Sequence, residues 1–143
     1  MGILGKLFGT DKLKITDADF GEIESFSTNG NRIGWLVNRK YLDTDVEILI
    51  DGNTEGLFKV QKQILLDTLN NEVTIKLEAE NALKEQYANA EIEFVSLDTH
   101  FQLKGISINT KGFEMIFQEK EGKKYFFSVH FENNKQIGVS IDG

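Results

Sequence analysis

The segment Leu57–Ala88, with the sequence LFKVQKQILLDTLNNEVTIKLEAENALKEQYA, decides the fold because it places helical patterns between two blocks of strand patterns. Apolar residues at helical spacing predict a first helix that Asn70-Asn71 ends and a second helix from about Val73 to Ala88. Each run carries its apolar side chains on one side and its charged ones on the other. Both helices therefore need an apolar surface to pack on.

Strand patterns lie on both sides of this segment. Short alternating runs occupy the chain from about Leu13 to Ile50, and Asn29-Gly30 predicts a tight hairpin turn with both residues at positive φ. Since short turns connect antiparallel strands, we predict an α+β fold: an antiparallel sheet or sheets with two central helices packed on it, in the order ββββ-αα-ββββ. The strands predicted after the helices are Phe101–Asn109, Gly112–Gln118, Lys124–Glu132 and Gln136–Asp142. The segment Ile92–Leu97 fits either a strand or a helix end.

The predicted strand Lys124–Glu132 also indicates which side chains face the core, because apolar and polar residues alternate along it. Phe126 interrupts the polar side, and Ile116 lies on the corresponding side of the preceding strand. These two residues predict an apolar patch on the outer face of a hairpin, unless another element covers them or they stand as isolated surface residues. The side chains predicted to face the core are Tyr125, Phe127, Val129 and Phe131.

Length and composition indicate one ordinary folded domain spanning residues 1–143. The chain has 143 residues, of which 40% are hydrophobic and 27% charged, which is typical of a domain with a buried core. No stretch reaches the roughly 18 apolar residues of a membrane-spanning helix. The chain contains no Cys and starts without a signal-peptide pattern, so we expect a cytoplasmic protein.

The charge balance bears on the kind of partner. The chain has 23 acidic and 16 basic residues and a net charge of −7, which opposes nucleic-acid binding. Such acidity is common in soluble proteins that use it only to stay apart, and the alternative is attraction of a basic partner. In residues 1–10, Ile3, Leu4, Leu7 and Phe8 fall on one side of a short amphipathic helix, with Lys6, Lys12 and Lys14 nearby. We expect this segment to pack against the sheet, with a weak membrane-surface contact as the alternative.

Two acidic segments have some features of metal-binding sites. Asp51–Gly56 resembles the first half of a calcium loop, but the twelfth position of that loop is Lys62 where a Glu is required. A polar turn capping the first helix is the favoured reading. The carboxylates of Asp43, Asp45 and Glu47 alternate along one strand, which is typical of a solvated strand edge. We therefore predict no metal and no cofactor.

The sequence offers no catalytic motif. His100 and His130 are its two histidines, and His130 shares a strand face with Ser128, but side chains two apart on a strand stand side by side and do not form an oriented triad. No nucleophile elbow and no phosphate-binding loop occurs. We expect a protein that is not an enzyme. The alternative, a small-ligand binder or enzyme with a site assembled from distant residues, would involve Asp98, His100, Ser128 and His130.

The chain resembles a group of small bacterial domain-of-unknown-function proteins that have strand-rich halves around two helices. The resemblance is carried by Asp19–Ile23 (DFGEI), Val46–Gly52 (VEILIDG), Gln61–Ile64 (QKQI) and Phe127–Phe131 (FSVHF). Some members of that group look like immunity proteins, which bind and neutralise a cognate toxin. The resemblance implies a protein partner and no catalytic residues.

The predicted function is therefore protein binding, with neutralisation of a basic bacterial toxin as its specific form. An acidic domain can cover the basic cleft of a toxin, and electrostatic attraction raises the association rate. A structural or regulatory module that binds its partner through Ile116 and Phe126 is a further reading. The candidate acidic residues on the helical pair are Asp67, Glu72, Glu78, Glu80 and Glu85.

Overall fold

The computed structural model describes residues 12–143, which form one mixed sheet and two long helices. The strands are β1 (Lys14–Asp17), β2 (Gly21–Asn29), β3 (Arg32–Tyr41), β4 (Thr44–Asn53), β5 (Gly56–Leu57), β6 (Phe101–Ile108), β7 (Gly112–Glu119), β8 (Phe126–Glu132) and β9 (Lys135–Asp142). The helices are α1 (Lys59–Asn70), α2 (Glu72–Asn89) and the four-residue α3 (Leu97–His100). The predictions for residues 1–10 lie outside the described residues.

The sheet has the spatial order β1-β2-β3-β4-β6-β7-β8-β9, with the two-residue β5 paired to β4. Within residues 12–143, every pairing is antiparallel except β4 with β6, which runs parallel from Glu47 opposite Gly105 to Leu49 opposite Ser107. A parallel pair needs a long crossover connection, and the helical segment between these strands provides it. The α+β class and the two helices are confirmed. The predicted order ββββ-αα-ββββ is corrected, because the structure adds β5 and α3. The predicted wholly antiparallel sheet is corrected by this parallel pair.

The helices cover one face of the sheet, because alternate residues of each strand are apolar and point toward them. Leu65 of α1 and Ile75, Ala79 and Leu83 of α2 are completely buried. We call the side of the sheet that faces the helices the covered face. The opposite side, which we call the open face, carries exposed or half-buried residues along the same strands, and no described helix lies over it. The fully buried residues of the covered face include Trp35, Ile48, Ile50, Met115 and Val129.

Two predicted turns differ in detail from the structure. The β2–β3 hairpin is present, but Asn29 is the last residue of β2 and pairs with Arg32, so only Gly30 of the predicted pair has positive φ, at +64°. Asp51–Gly56 closes the β4–β5 hairpin instead of capping a helix. Phe58 is the N-cap of α1 and provides no side-chain hydrogen bond.

The ambiguous segment Ile92–Leu97 contains neither a strand nor a continuation of α2. It is irregular as far as Ser96, whose side chain accepts a hydrogen bond from Thr99 N and caps α3. Its position is fixed by contacts with α2, since Glu80 Oε2 accepts a hydrogen bond from Leu97 N at 2.9 Å. Within residues 12–143, no helix is long and apolar enough to cross a membrane.

Candidate functional site

Three side chains from neighbouring strands meet on the open face, and we call them the open-face cluster: Glu114 of β7, His130 of β8 and Ser140 of β9. The register brings Glu114 directly opposite His130, and Gly138 opposite His130 on the other side. Glu114 Oε2 lies 3.4 Å from His130 Nδ1. His130 Nε2 lies 3.0 Å from Ser140 Oγ. An acid, an imidazole and a hydroxyl thus stand in a row across three strands.

The carboxylate of Glu114 determines which ring nitrogen of His130 can accept the hydroxyl proton of Ser140. A carboxylate beside Nδ1 favours the tautomer with the proton on that nitrogen, because the N–H points at negative charge. Nε2 is then an acceptor for the hydroxyl proton of Ser140. His130 and Glu114 are each about one-third exposed, and Ser140 is exposed, so the cluster is reachable from solvent.

A cleft of about 470 Å³ opens near the start of β6, beyond the residues at which β4 and β6 pair. Its floor is apolar, and its rim carries Asp43, Asp98 and Lys120. Two of the rim charges already have intramolecular contacts, because Lys76 Nζ lies 3.2 Å from Asp98 Oδ2 and Lys120 Nζ donates to the carbonyl of Asp98. The apolar lining residues are Leu42, Leu97, Phe101, Leu103 and Phe117.

His100 has a structural position. Its Nε2 accepts a hydrogen bond from Val95 N at 2.9 Å, and its ring packs against Tyr87 and Phe94. The hydroxyl of Tyr87 donates to Glu119 Oε2 at 2.6 Å. Burial raises the pKa of Tyr87, and the hydrogen bond and charge of Glu119 raise it further. This arrangement fastens the end of α2 to β7.

The four residues of the predicted assembled site do not form one site. Asp98 and His100 lie on α3, whereas Ser128 and His130 lie on the open face of β8. His130 does join a cluster, but its partners are Glu114 and Ser140, which sequence reasoning missed. The missing information was the strand register, since neither partner is near His130 in sequence.

Strand β9 forms one edge of the sheet and pairs only with β8 among the described residues. Its side chains include Ile137 and Ile141, which are 59% and 48% exposed. A groove of about 320 Å³ lies between Ile141 and the end of α2, where Ile92 is 52% exposed. The groove is mostly apolar, and the rings of Tyr87, Tyr125 and Phe127 also line it.

The predicted acidic residues have mixed positions on the helices. Glu72 accepts a hydrogen bond from Leu42 N, Glu78 one from Gln136 N, and Glu80 one from Leu97 N. These three carboxylates therefore attach loops and strands to α2. Asp67 and Glu85 are exposed, and Asp67 accepts a hydrogen bond from the Gln63 side chain.

The predicted apolar patch has the expected geometry. Ile116 lies opposite Ser128, and Phe126 lies opposite Gln118, so the two apolar residues are diagonal neighbours on the open face. Ile116 is half-buried and Phe126 is 40% exposed. Whether a protein docks on this patch stays a prediction.

The acidic segments show no metal-binding geometry. No group of three or more His, Cys, Asp or Glu side chains within residues 12–143 is arranged to hold a metal ion. Asp51 forms an ion pair with Arg32, and Asn53 Oδ1 accepts a hydrogen bond from Glu55 N within the turn. Asp43 lies in the β3–β4 turn at a φ of 60°.

The fold and its sites define an α+β protein whose mixed sheet has one helix-covered face and one open face. Comparison with known proteins gives no significant match to a family model, a curated protein or a solved structure. The resemblance to immunity-like bacterial domains, the absence of enzymatic activity and the cytoplasmic location therefore stay predictions.

Proposed function

We propose that this domain binds a protein partner, which adds an extended segment to the outer edge of β9. The observation that carries the proposal is an eight-residue edge strand with exposed isoleucines and an apolar groove beside it. Natural proteins usually protect sheet edges, because unpaired backbone N–H and C=O groups accept another strand. A peptide that pairs with β9 gains main-chain hydrogen bonds, and the groove gives it side-chain specificity.

The centre of the β9 edge contains a β-bulge at Ile137 but neither a charged residue nor a proline. Its charged residues, Lys135 and Asp142, stand at its two ends, and the six residues between them, QIGVSI, carry no charge and no proline. Charge and proline are the common means of blocking strand addition. The partner segment is therefore expected to be extended and apolar at alternate positions.

The partner is expected to be basic, because the domain carries a net charge of −7. Attraction between opposite net charges raises the association rate more than it raises the final affinity. Neutralisation of a toxin, as in an immunity protein, is the specific form of this proposal. It is supported by the acidic charge, and the resemblance of the sequence to immunity-like domains stays a prediction.

The test compares two exposed apolar residues of similar accessibility. Ile137 on β9 is 59% exposed, and Leu77 on α2 is 57% exposed. Products of neighbouring genes are co-expressed with the tagged domain, and a stoichiometric partner is then titrated with purified Ile137→Lys and Leu77→Lys variants. We expect Ile137→Lys to weaken binding at least about tenfold, because a charge would enter the new strand pair, and Leu77→Lys to bind like the unchanged protein.

The opposite pattern, full binding by Ile137→Lys and loss with Leu77→Lys, would move the binding surface to α2. Toxicity of the partner expressed alone distinguishes the immunity form from other protein binding. Asp67→Lys and Glu85→Lys test the electrostatic part, since both side chains are exposed. These reversals should slow association with little effect on dissociation.

The alternative function, small-ligand binding, is supported by the cleft of about 470 Å³ beside β6, which has an apolar floor and a charged rim. Its volume lies in the range of pockets that hold small molecules. A metabolite screen by thermal shift, repeated with Leu103→Trp to fill the cleft, tests it. A ligand that stabilises both proteins equally would exclude this cleft as its site.

A further inference from the structure

We propose that Glu114, His130 and Ser140 form a nucleophilic site that transfers the acyl group of a carboxylic ester to Ser140. The open-face cluster carries this proposal. Because it also draws on the backbone N–H groups at the edge of β9, it describes the domain without a partner strand at that edge. A Ser–His–acid site is recognised by geometry and roles, and the three residues come from three strands whose register brings them together.

The first requirement is a base within reach of the nucleophile. Ser140 Oγ lies 3.0 Å from His130 Nε2, within the distance at which an imidazole takes a hydroxyl proton. The second is an acid that orients the base. Glu114 Oε2 lies 3.4 Å from Nδ1 on the other side of the ring, slightly longer than a hydrogen bond. Such contacts commonly shorten when substrate binds.

The third requirement is access for the substrate. Ser140 is exposed, and Gly138, directly opposite His130, has no side chain to cover the ring. A Cβ built on Gly138 would meet no atom of residues 12–143 within 4 Å, so these residues leave space above this position. An ester group can therefore approach the Ser140 hydroxyl from the open face.

The fourth requirement is a set of donors for the negative charge that forms on the carbonyl oxygen. β9 is an edge strand, and alternate backbone N–H groups of an edge strand point away from the sheet. The proposal assigns the outward N–H groups next to Ser140 on β9 as the donors to the oxyanion. An open site stabilises this charge less than an enclosed one, so a small ester with a good leaving group fits the site better than an amide.

The reaction needs no reactant other than the ester and water. His130 Nε2 takes the proton of Ser140, whose Oγ forms a bond to the acyl carbon. The bond from that carbon to the alkoxy oxygen of the ester then breaks, and the imidazolium gives its proton to that oxygen, which leaves as the alcohol. Water then gives a proton to the same imidazole, and its oxygen forms a bond to the acyl carbon. The bond from that carbon to Ser140 Oγ breaks, and the imidazolium returns the proton to Oγ, which releases the carboxylic acid and restores Ser140.

The experiment uses the full chain with p-nitrophenyl acetate and a fluorophosphonate probe, and peptide mass spectrometry locates the modified residue. The variants are Ser140→Ala, His130→Gln, Glu114→Gln and the control Ser107→Ala, whose serine lies opposite Glu114 on β6. We expect modification at Ser140, its loss in Ser140→Ala, and a fall of at least about 100-fold in His130→Gln. Glu114→Gln should react more slowly, and Ser107→Ala should react like the unchanged protein.

Circular dichroism and thermal unfolding establish that each variant is folded, so a loss of labelling has a local cause. Two results would overturn the proposal. One is a folded protein that remains unmodified at Ser140, including the case in which Ser128 is modified instead. The other is modification of Ser140 at the same rate in the unchanged protein and in the His130→Gln variant, which lacks the imidazole.

Discussion

The covered and open faces of the sheet are built from the same strands but have different chemistry. The covered face places Trp35, Met115 and Phe131 out of contact with water, against the two helices. The open face places Glu114, His130 and Ser140 in reach of solvent. Burial of apolar surface supplies most of the stability, so residues of the open face are available for binding and chemistry at a low cost in folding.

The largest expected effect compares two consecutive residues of β7 that point to opposite faces. Met115 is 0% exposed on the covered face, and Ile116 is half-buried on the open face. Met115→Ala should reduce the free energy of unfolding by about 2–5 kcal/mol, because it removes buried surface and leaves a cavity. Ile116→Ala should cost about 1 kcal/mol, since less of its surface is buried. Urea denaturation of both variants measures the difference.

Equal losses in the two variants would contradict the distinction between the faces. They would indicate that Ile116 is covered in solution, either by another part of the chain or by a second molecule. A concentration-dependent unfolding midpoint would identify the second case.

Local sequence patterns were sufficient to predict the faces of individual strands. The alternation in Lys124–Glu132 predicted that Tyr125, Phe127, Val129 and Phe131 point inward. The last three are buried, whereas Tyr125 precedes β8 and is half-buried. The same pattern placed Phe126 on the outer face, where it is 40% exposed. Side-chain alternation has a period of two, so it can be read from a single strand without knowledge of its neighbours.

The open-face cluster could not be predicted in this way, because it depends on the register of three strands. A shift of β8 or β9 by one residue would turn His130 or Ser140 toward the helices. The β8–β9 register also changes at an irregularity between His130 and Phe131, which no local pattern indicated. The parallel pairing of β4 with β6 is likewise a long-range feature, formed across the helical segment.

The roles of the helical carboxylates were also beyond local prediction. The periodicity of α2 correctly placed Ile75, Ala79, Ala82, Leu83 and Tyr87 in the core, and it assigned Glu72 and Glu80 to a solvated side. Both carboxylates instead accept backbone N–H groups of Leu42 and Leu97. Their partners are distant in sequence, so only the packed structure brings them together.

The second expected effect concerns the hydrogen bond between Tyr87 and Glu119 on the covered side of the sheet. Tyr87 is 6% exposed, and its hydroxyl donates to Glu119 Oε2. Tyr87→Phe should lower the free energy of unfolding by about 1–3 kcal/mol, because the hydrogen bond has a charged acceptor. A double-mutant cycle with Glu119→Gln isolates the interaction. Additive losses in the cycle would show that the two groups do not interact in solution.

The smallest expected effect compares two ion pairs of β1. Asp17 is bonded to Lys62 of α1 and its side chain is 9% exposed, whereas Lys14 and Glu24 form a pair at the open face with side chains 55% and 42% exposed. Burial alone would raise the pKa of Asp17, but hydrogen bonds from Asp19 N, Lys62 and Phe20 N outweigh it, so the pKa lies below its usual value.

A lowered folded-state pKa means that Asp17 stabilises the protein above the pKa of the unfolded chain, about 3.9. This contribution is lost as the pH falls through the lower folded-state value. Asp17→Asn should therefore reduce stability by up to about 1 kcal/mol near neutral pH and have less effect in acid. Glu24→Gln is the matched control, and its effect should be small at every pH because both side chains are solvated. Urea midpoints measured from neutral to acidic pH decide the comparison: if the two variants lose stability in parallel, Asp17 does not anchor β1 to α1.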